Sequence, residues 1–554
     1  MLTVHTVSRA SRSVVGLAMV ALGTLLGACG GRVDEEAGDE RLEMEAPTEE
    51  GWVGFFRPSK PKLDFKPCEG APGLECAKLE VPLDYSDGDC DTTDISVARL
   101  PSTSSKGPKK GVLFLAAGGP GSSGIDQLRA MTPFFSSGKL RENFDIVTFD
   151  ARGVGRSNAV RCDVVMPPRP ADANDDEALA AYFDEFGHRV ADACLEQNGP
   201  LAKHVGTNNV ARDLDVLRKA LGEQEITVLG YSYGSALGAV YANLFPKRVR
   251  AMVLDAAVAP TFVDSLTERA RDSAAASEQA LARLDQLCKA DPSCPLQKVG
   301  ITAALDLVTA KLDAAPVAVG PGQAPMTGDD VRFLVMGMLY NERAHAPLIV
   351  ASLATAAAGN VSVLKSVLPL ARSNSAYLLG GKARLDALTV VTCNDFGTRR
   401  EANDYLDLAR TTAKVSPHFG GLFGDLLRST SFAAAQCRDW PDADVPRIED
   451  VSERVKTPIM IVGNDFDNAS PLSRAQSLGK ALGMEEYVLR YQGGGHTIYG
   501  LGSACINSKV DAYLIDRKTP PAGTSCAAEP VPFTFPASAA SSPETGLYGV
   551  PSAD

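Results

Sequence analysis

The chain lacks any apolar run of about 18 residues, which argues against a polytopic membrane protein built of spanning helices. It lacks a basic excess: 55 Lys and Arg face 68 Asp and Glu, a net charge of −13, so there is no electrostatic footprint of a nucleic-acid binder. CxxC, HExxH, GxxxxGK and calcium-loop patterns are absent, and the six histidines are scattered, so neither a metal nor a cofactor is expected. What is present is ample apolar material: 45% hydrophobic against 22% charged residues excludes wholesale disorder and supports a sizeable core.

The acidity is concentrated near the start. Residues 30–50 hold nine acids against Arg32 and Arg41, with too few large apolar side chains to fold, and read as a solvated tether. Ahead of it, Arg9 and Arg12 lead into the apolar stretch Val14 to Gly27, the length of a signal-peptide core and too short to span a bilayer. The stretch ends in Leu26-Gly27-Ala28-Cys29, which resembles a bacterial lipobox and implies lipidation of Cys29. The protein is therefore expected to be exported and lipid-anchored in a bacterial envelope, and Gly30 after the Cys would favour the outer membrane of a Gram-negative cell.

Export makes disulfides the natural reading of the other eleven cysteines. Suggestively placed pairs are Cys68 with Cys76, Cys162 with Cys194, Cys288 with Cys294, Cys393 with Cys437, and Cys505 with Cys526. Connectivity stays open at this level, with Cys90 free or competing for Cys68 or Cys76.

From residue 95 onward, short apolar runs alternate with helical patterns, as in a sheet built from βα units. Expected strands are Ile95–Leu100, Val112–Ala117, Phe144–Asp150, Ile226–Leu229, Ala251–Asp255, Pro458–Val462 and Tyr487–Tyr491. Between the last two groups lie about 190 residues rich in Ala and Leu at helical spacing, suited to a lid over a site. The divisions are a signal peptide (1–28), acidic tether (29–55), first part of the α/β core (56–260), helical insertion (261–449), second part of the core (450–526) and a Pro/Ala/Ser-rich tail (527–554).

The strand Ile226–Leu229 runs into Gly230-Tyr231-Ser232-Tyr233-Gly234 and then a helix-forming stretch, so GxSxG sits in a strand–turn–helix context that lifts a serine hydroxyl above a sheet. Ser232 is the expected nucleophile, and it needs a base and a group to orient that base. Only His496 follows a late strand; the preceding Gly493-Gly494-Gly495 read as a flexible, uncrowded loop that can swing an imidazole over the sheet edge. The orienting acid should follow the penultimate strand. There Asp467 leads Asp465, which reads as a loop-bracing carboxylate, and Asp255 is third. Ser470-Pro471 reads as a helix N-cap with Pro at the first helical position, opening a helix over Leu472–Leu482. An oxyanion needs donors: the N–H of Tyr233, and one from the glycine loop after the earlier strand, Gly119 first and Gly118 next. The same loop literally matches GxGxxG, with Asp150 ending the next strand; Pro120 removes an N–H where a pyrophosphate would want one, which weighs against dinucleotide binding.

These residues, in order, resemble bacterial exported α/β hydrolases related to tripeptidyl aminopeptidases and, more distantly, proline iminopeptidases. The resemblance rests on Cys76 to Tyr85, Gly118-Gly119-Pro120-Gly121, Asp150 to Ser157, Gly230 to Gly234, Phe245 to Val249, Val253-Leu254-Asp255, Cys437, Trp440-Pro441, Thr457-Pro458, Asp467, His496, Cys505 and Cys526. It departs at Ala117, where that family has Asn or His, and at Asp467-Asn468-Ala469-Ser470, where it has Asp-Pro-x-Thr. It implies the α/β-hydrolase fold, a mostly parallel central sheet flanked by helices, with a large helical cap inserted between the late strands. It also implies a serine exopeptidase acting on peptides with free N-termini, tripeptidyl- or prolyl-type. The α-ammonium group of such a substrate calls for an acid near the cap, for which Glu342 and Asp395 are candidates, although each reads first as a solvated surface acid. A carboxylic ester hydrolase with the same triad is the alternative, and a non-catalytic envelope binding protein the third reading. Oligomeric state is not legible.

Overall fold

The computed structural model describes residues 63–535 apart from 87–90, 105–109, 137, 166, 169, 171–174, 259–265, 378–380, 396–401, 423–436 and 442–443. The expected signal peptide, Cys29, the acidic tether to residue 55 and Cys90 lie outside the described residues.

Ten strands form one sheet: β1 (Lys66–Pro67), β2 (Glu75–Pro82), β3 (Thr92–Leu100), β4 (Val112–Ala116), β5 (Asp145–Phe149), β6 (Ile226–Tyr231), β7 (Val249–Asp255), β8 (Met460–Phe466), β9 (Val488–Gly494) and β10 (Ser525–Ala527). Their order is β1-β2-β3-β5-β4-β6-β7-β8-β9-β10. The first three strands and the β3–β5 pair are antiparallel, and every pair from β5 to β10 is parallel. This is the α/β-hydrolase fold. All seven expected strands are found, shifted by a few residues at their ends.

The central strands read as continuous apolar runs because both faces are covered. In β4, Val112, Phe114 and Ala116 face one layer while Leu113 and Leu115 face the other. The first layer is supplied by α4 (Thr207–Ala220), α5 (Tyr233–Leu244) and the helix Leu472–Leu482. The second is supplied by α1 (Gly124–Ser136), α2 (Lys139–Asn143) and the helix Ala504–Asp516. β2 differs: Ala77, Leu79 and Val81 are buried while Lys78 and Glu80 are exposed, the alternation of a strand with one wet face.

Past α3 (Asp176–Asn198) and β7, the chain leaves the sheet for a run of helices before returning at β8. These are α6 (Leu266–Ala290), α7 (Ile301–Ala314), α8 (Gly328–Met338), α9 (Glu342–Ala357), α10 (Ser362–Tyr377), α11 (Gly381–Asp395) and α12 (Ala402–Val415). Helices α6 to α10 bury a core of their own, built around Leu284, Leu305, Leu339 and Leu353. The start of the Pro-rich end packs against it: Phe533 is buried in the same core.

All five anticipated cysteine pairs are bonded. Two of them, Cys162–Cys194 and Cys393–Cys437, meet in one apolar cluster with Trp440, where the insertion rests on the core.

Candidate active site

The order β5-β4-β6 puts the topological switch of the sheet at β4, and ligands of open α/β sheets bind outside the carboxyl ends of the strands at that point. The loops carrying Gly118, Ser232, Asp467 and His496 all leave carboxyl ends: of β4, β6, β8 and β9.

Ser232 occupies the one residue between β6 and α5, with φ 52° and ψ −118°, a left-handed conformation that costs a β-carbon residue energy and persists where packing enforces it. The packing is visible in the flanking glycines. A Cβ on Gly230 would fall on the carbonyl of Gly234, and one on Gly234 on the carbonyl of Ala116 in β4. The loop after β4 crosses directly over the serine: a Cβ on Gly118 would stand 3.4 Å from the Ser232 Cβ. Gly119 follows with φ 116°. Tyr233 is the first residue of α5, so its N–H has no acceptor within the helix, and it points from the positive end of the helix dipole.

His496 Nδ1 stands 3.0 Å from both carboxylate oxygens of Asp467. Asp467 is fully buried, and its Oδ1 also accepts the N–H groups of Ala469 and Ser470 at 2.8 Å. Those bonds correct the expected cap: the Leu472–Leu482 helix has Pro471 at its N-cap position, and Ser470 supplies its backbone N–H to Asp467 instead of its side chain to the helix. Asp465 is turned away: it lies within β8 and not in a loop, and its two-pronged ion pair with Arg490 of β9, at 2.6 and 2.7 Å, ties two strands together where a loop brace was expected.

Asp255 joins the two halves. Its backbone carbonyl accepts the Ser232 N–H at 2.8 Å, while its carboxylate Oδ2 accepts the N–H groups of Ile498 and Tyr499, at 2.9 and 2.8 Å. One buried residue thus ties the serine turn to the segment after His496. Burial pushes its pKa up to about 6 despite those two N–H donors. Sequence reading ranked Asp255 third as the orienting acid; its position at a strand end was the available signal, but its partners are backbone groups that no side-chain pattern marks.

The glycines before His496 are not an uncrowded loop. Gly493 and Gly494 belong to β9; a Cβ on Gly493 would fall on the Tyr491 ring, and one on Gly494 on the Glu342 carboxylate. They are small because side chains occupy the space.

Glu342 and Asp395 are not solvated surface acids, since both are buried. Glu342 pairs with Arg283 and accepts the Gly494 N–H. Asp395, at the end of α11, accepts the Thr207 N–H at 2.7 Å and the Thr207 hydroxyl at 2.6 Å, and that hydroxyl meets the Tyr233 hydroxyl at 2.5 Å. The insertion is thereby wired to the residue after Ser232, a link without any sequence signal.

Burial pushes the Asp395 carboxyl up to about 7 from 3.8, against the two Thr207 hydrogen bonds and with added repulsion from Asp444. The folded value lies above the unfolded one, so its stabilisation is complete below about pH 4 and is lost as pH rises through about 7. Asp395→Asn should remove that slope: relative to wild type, the variant should gain up to about 4 kcal/mol between roughly pH 4 and 8. Denaturant curves at several pH values test this, and parallel pH profiles for the two proteins would refute it.

Asp150, which the dinucleotide reading would need to meet a ribose, is buried and committed to the Ser123 hydroxyl at 2.6 Å and the N–H groups of Ile125 and Arg156. It braces the glycine loop. Among the described residues no cluster of His, Cys, Asp and Glu is arranged to hold a metal ion.

Two family models match the chain, one reaching into the start of the insertion and the other beginning within its end. Residues 111–297 match a family described as alpha/beta hydrolase fold, and residues 426–526 match one described as TAP-like protein. The chain is 29% identical over 509 residues to the serine protease Hip1 of Mycobacterium tuberculosis, covering 85% of this chain and 93% of that protein. It is 26% identical over 490 residues to the tripeptidyl aminopeptidase of Streptomyces lividans, covering 87% and 89%. It is also 28% identical over 475 residues to a carboxylesterase B of Mycobacterium tuberculosis, covering 82% and 86%.

Proposed function

We propose, from the premise that the chain is a serine hydrolase of the α/β-hydrolase fold, that it is an aminopeptidase releasing short peptides from free N-termini. The observation that carries the reading is the Asp467–His496 pair, both oxygens 3.0 Å from Nδ1, tied through Asp255 to a serine in a strained turn. Nδ1 engaged by a carboxylate leaves Nε2 as the proton acceptor. Ser232 Oγ attacks the scissile carbonyl as its proton passes to Nε2. The tetrahedral oxyanion takes hydrogen bonds from the N–H of Tyr233 and from the Gly118–Gly119 loop. Collapse breaks the C–N bond, the imidazolium gives its proton to the leaving amine, and water repeats the sequence to free the acid and restore Ser232.

The names of two relatives support peptide substrates, whereas that of the carboxylesterase relative keeps ester hydrolysis as the second reading. The burial of both acids nominated for the substrate amine favours the second reading too, since each is already hydrogen-bonded. Soluble protein should be tested on fluorogenic tripeptides with free or acetylated N-termini beside a short-chain ester. Turnover of the free form alone is the expected result. Ester turnover with neither peptide cleaved would replace peptidase by esterase.

A further inference from the structure

Among the described residues, the insertion grips the histidine loop around the junction between α8 and α9. The carbonyl of Tyr340 accepts the backbone N–H of His496 at 2.8 Å. The Tyr340 ring stands edge-on to the imidazole, with centroids 5.1 Å apart and planes at 69°. Two residues on, the carboxylate of Glu342 accepts the N–H of Gly494 and fills the place where any larger residue's Cβ would lie. Glu342 is held by Arg283 of α6, whose guanidinium lies 5.1 Å from the ring centre of Phe466, the residue before Asp467. Arg343 closes the grip by donating to the carbonyls of Gly502 and Pro530, at 2.9 and 3.1 Å.

Within the sheet, His496 lies two residues past the end of β9, where no ladder fixes its backbone. From the α/β core, the imidazole is oriented by Asp467, in the loop after β8, alone among the contacts described above. A carboxylate that meets Nδ1 through both oxygens constrains the ring's distance better than its tilt. Tyr340 supplies what is missing at two levels, its carbonyl fixing the backbone and its ring limiting rotation of the imidazole. Glu342 fixes the height of Gly494 and thus of the turn that follows.

We propose that Tyr340 and Glu342 are positioning residues for His496, so that the helical insertion, beyond covering the site, sets the register of the general base. The proposal rests on the reading of His496 as that base. Misplacing a catalytic group by about 1 Å can cost on the order of 100-fold in rate without changing substrate affinity.

The test compares Tyr340→Ala, Tyr340→Phe, Glu342→Ala, Glu342→Gln and Gly494→Ala with the wild-type chain. Steady-state turnover of an ester or peptide substrate is measured together with the rate at which a small fluorophosphonate labels Ser232. Tyr340→Ala, Glu342→Ala and Gly494→Ala should lower kcat by about 10- to 100-fold with KM within about three-fold, and should slow labelling by a similar factor. The backbone carbonyl survives in both Tyr340 variants, so their contrast reads the ring, which Tyr340→Phe keeps; Glu342→Gln keeps an acceptor for Gly494, so both conservative variants should recover most of the rate. Labelling at the wild-type rate in the Ala variants, or losses confined to KM, would overturn the proposal. Equal failure of Gln and Ala at position 342, accompanied by a lowered melting temperature, would assign Glu342 to folding alone and overturn its part. Ser232→Ala separates the two levels: activity or labelling that survives it defeats the underlying reading, whereas its loss with unaffected Tyr340 and Glu342 variants defeats only this one.

Discussion

Ser232→Ala is expected to lower kcat by roughly a million-fold while leaving the thermal midpoint within a few degrees of wild type, since the triad acts as a unit and the residue left behind fits the same turn. Alanine at φ 52° retains the strain of the native turn, so stability should not rise much. Asp467→Asn should cost about ten-thousand-fold, because an amide no longer holds the imidazole in the tautomer that frees Nε2. Asp465→Asn should change kcat by less than about three-fold, because its partner Arg490 is half exposed and a solvent-screened pair contributes little. The pair of acid variants is the sharper experiment. A large loss at Asp465 with activity kept at Asp467 would exchange the two assignments, and a large loss at neither would leave Asp255 as the acid to examine.

The largest stability effect is expected from Arg152, which is wholly buried and whose hydrogen bonds go to Asp213, Pro82, Leu83 and His204. Its five N–H groups all have acceptors: Asp213 through Nε at 2.7 Å and Nη2 at 2.5 Å, Pro82 O from Nη2 at 2.7 Å, and Leu83 O and His204 O from Nη1 at 2.7 and 3.1 Å. Tyr85 donates its hydroxyl to the same Asp213 at 2.8 Å. This cluster fastens the end of β2 and the turn after β5 to α4. Arg152→Ala would strand the fully buried Asp213 charge and leave the Pro82 and Leu83 carbonyls without these donors, while His204 O keeps the Asn209 amide at 3.2 Å. A loss of about 3–5 kcal/mol follows, read as a lower denaturation midpoint at unchanged slope. Replacing both partners, as in Arg152→Met with Asp213→Leu, should cost less than Arg152→Ala alone, because a buried ion pair exchanged for apolar groups is often close to neutral. A single-variant loss below about 1 kcal/mol would contradict the account.

How far the site was legible depends on how local its determinants are. GxSxG after an apolar run dictates much of its own geometry: the strand, the turn and the need for a glycine at 230 are set within nine residues, whereas Gly234 is small because of Ala116 in β4. The late acid and histidine follow from strand order, since each sits just past a recognisable apolar run. The strands at the two edges of the sheet were harder. β2 carries the alternation Ala77, Leu79, Val81, but β1 has two residues and β10 three, too few to make a pattern, and β10 is held by pairing to β9 beside the Cys505–Cys526 bond.

Glu342, Asp395 and the His496 glycines were misread for one physical reason. A carboxylate flanked by polar residues looks solvated, and a run of glycines looks loose, unless one knows what packs against them. Arg283 lies 59 residues from Glu342 and Thr207 lies 188 residues from Asp395, so neither partnership leaves a trace in local composition.

The sequence by itself determined the central strands of the sheet, because a strand buried on both faces must be apolar along its length. It also nominated Ser232 and His496 as nucleophile and base, because the chemistry admits few residue types at strand ends. Only the tertiary structure decided which carboxylates are free, which are committed and what holds the histidine in place. Those outcomes are set by contacts between elements far apart in the chain, whose burial and partners exist only once the insertion has closed over the sheet.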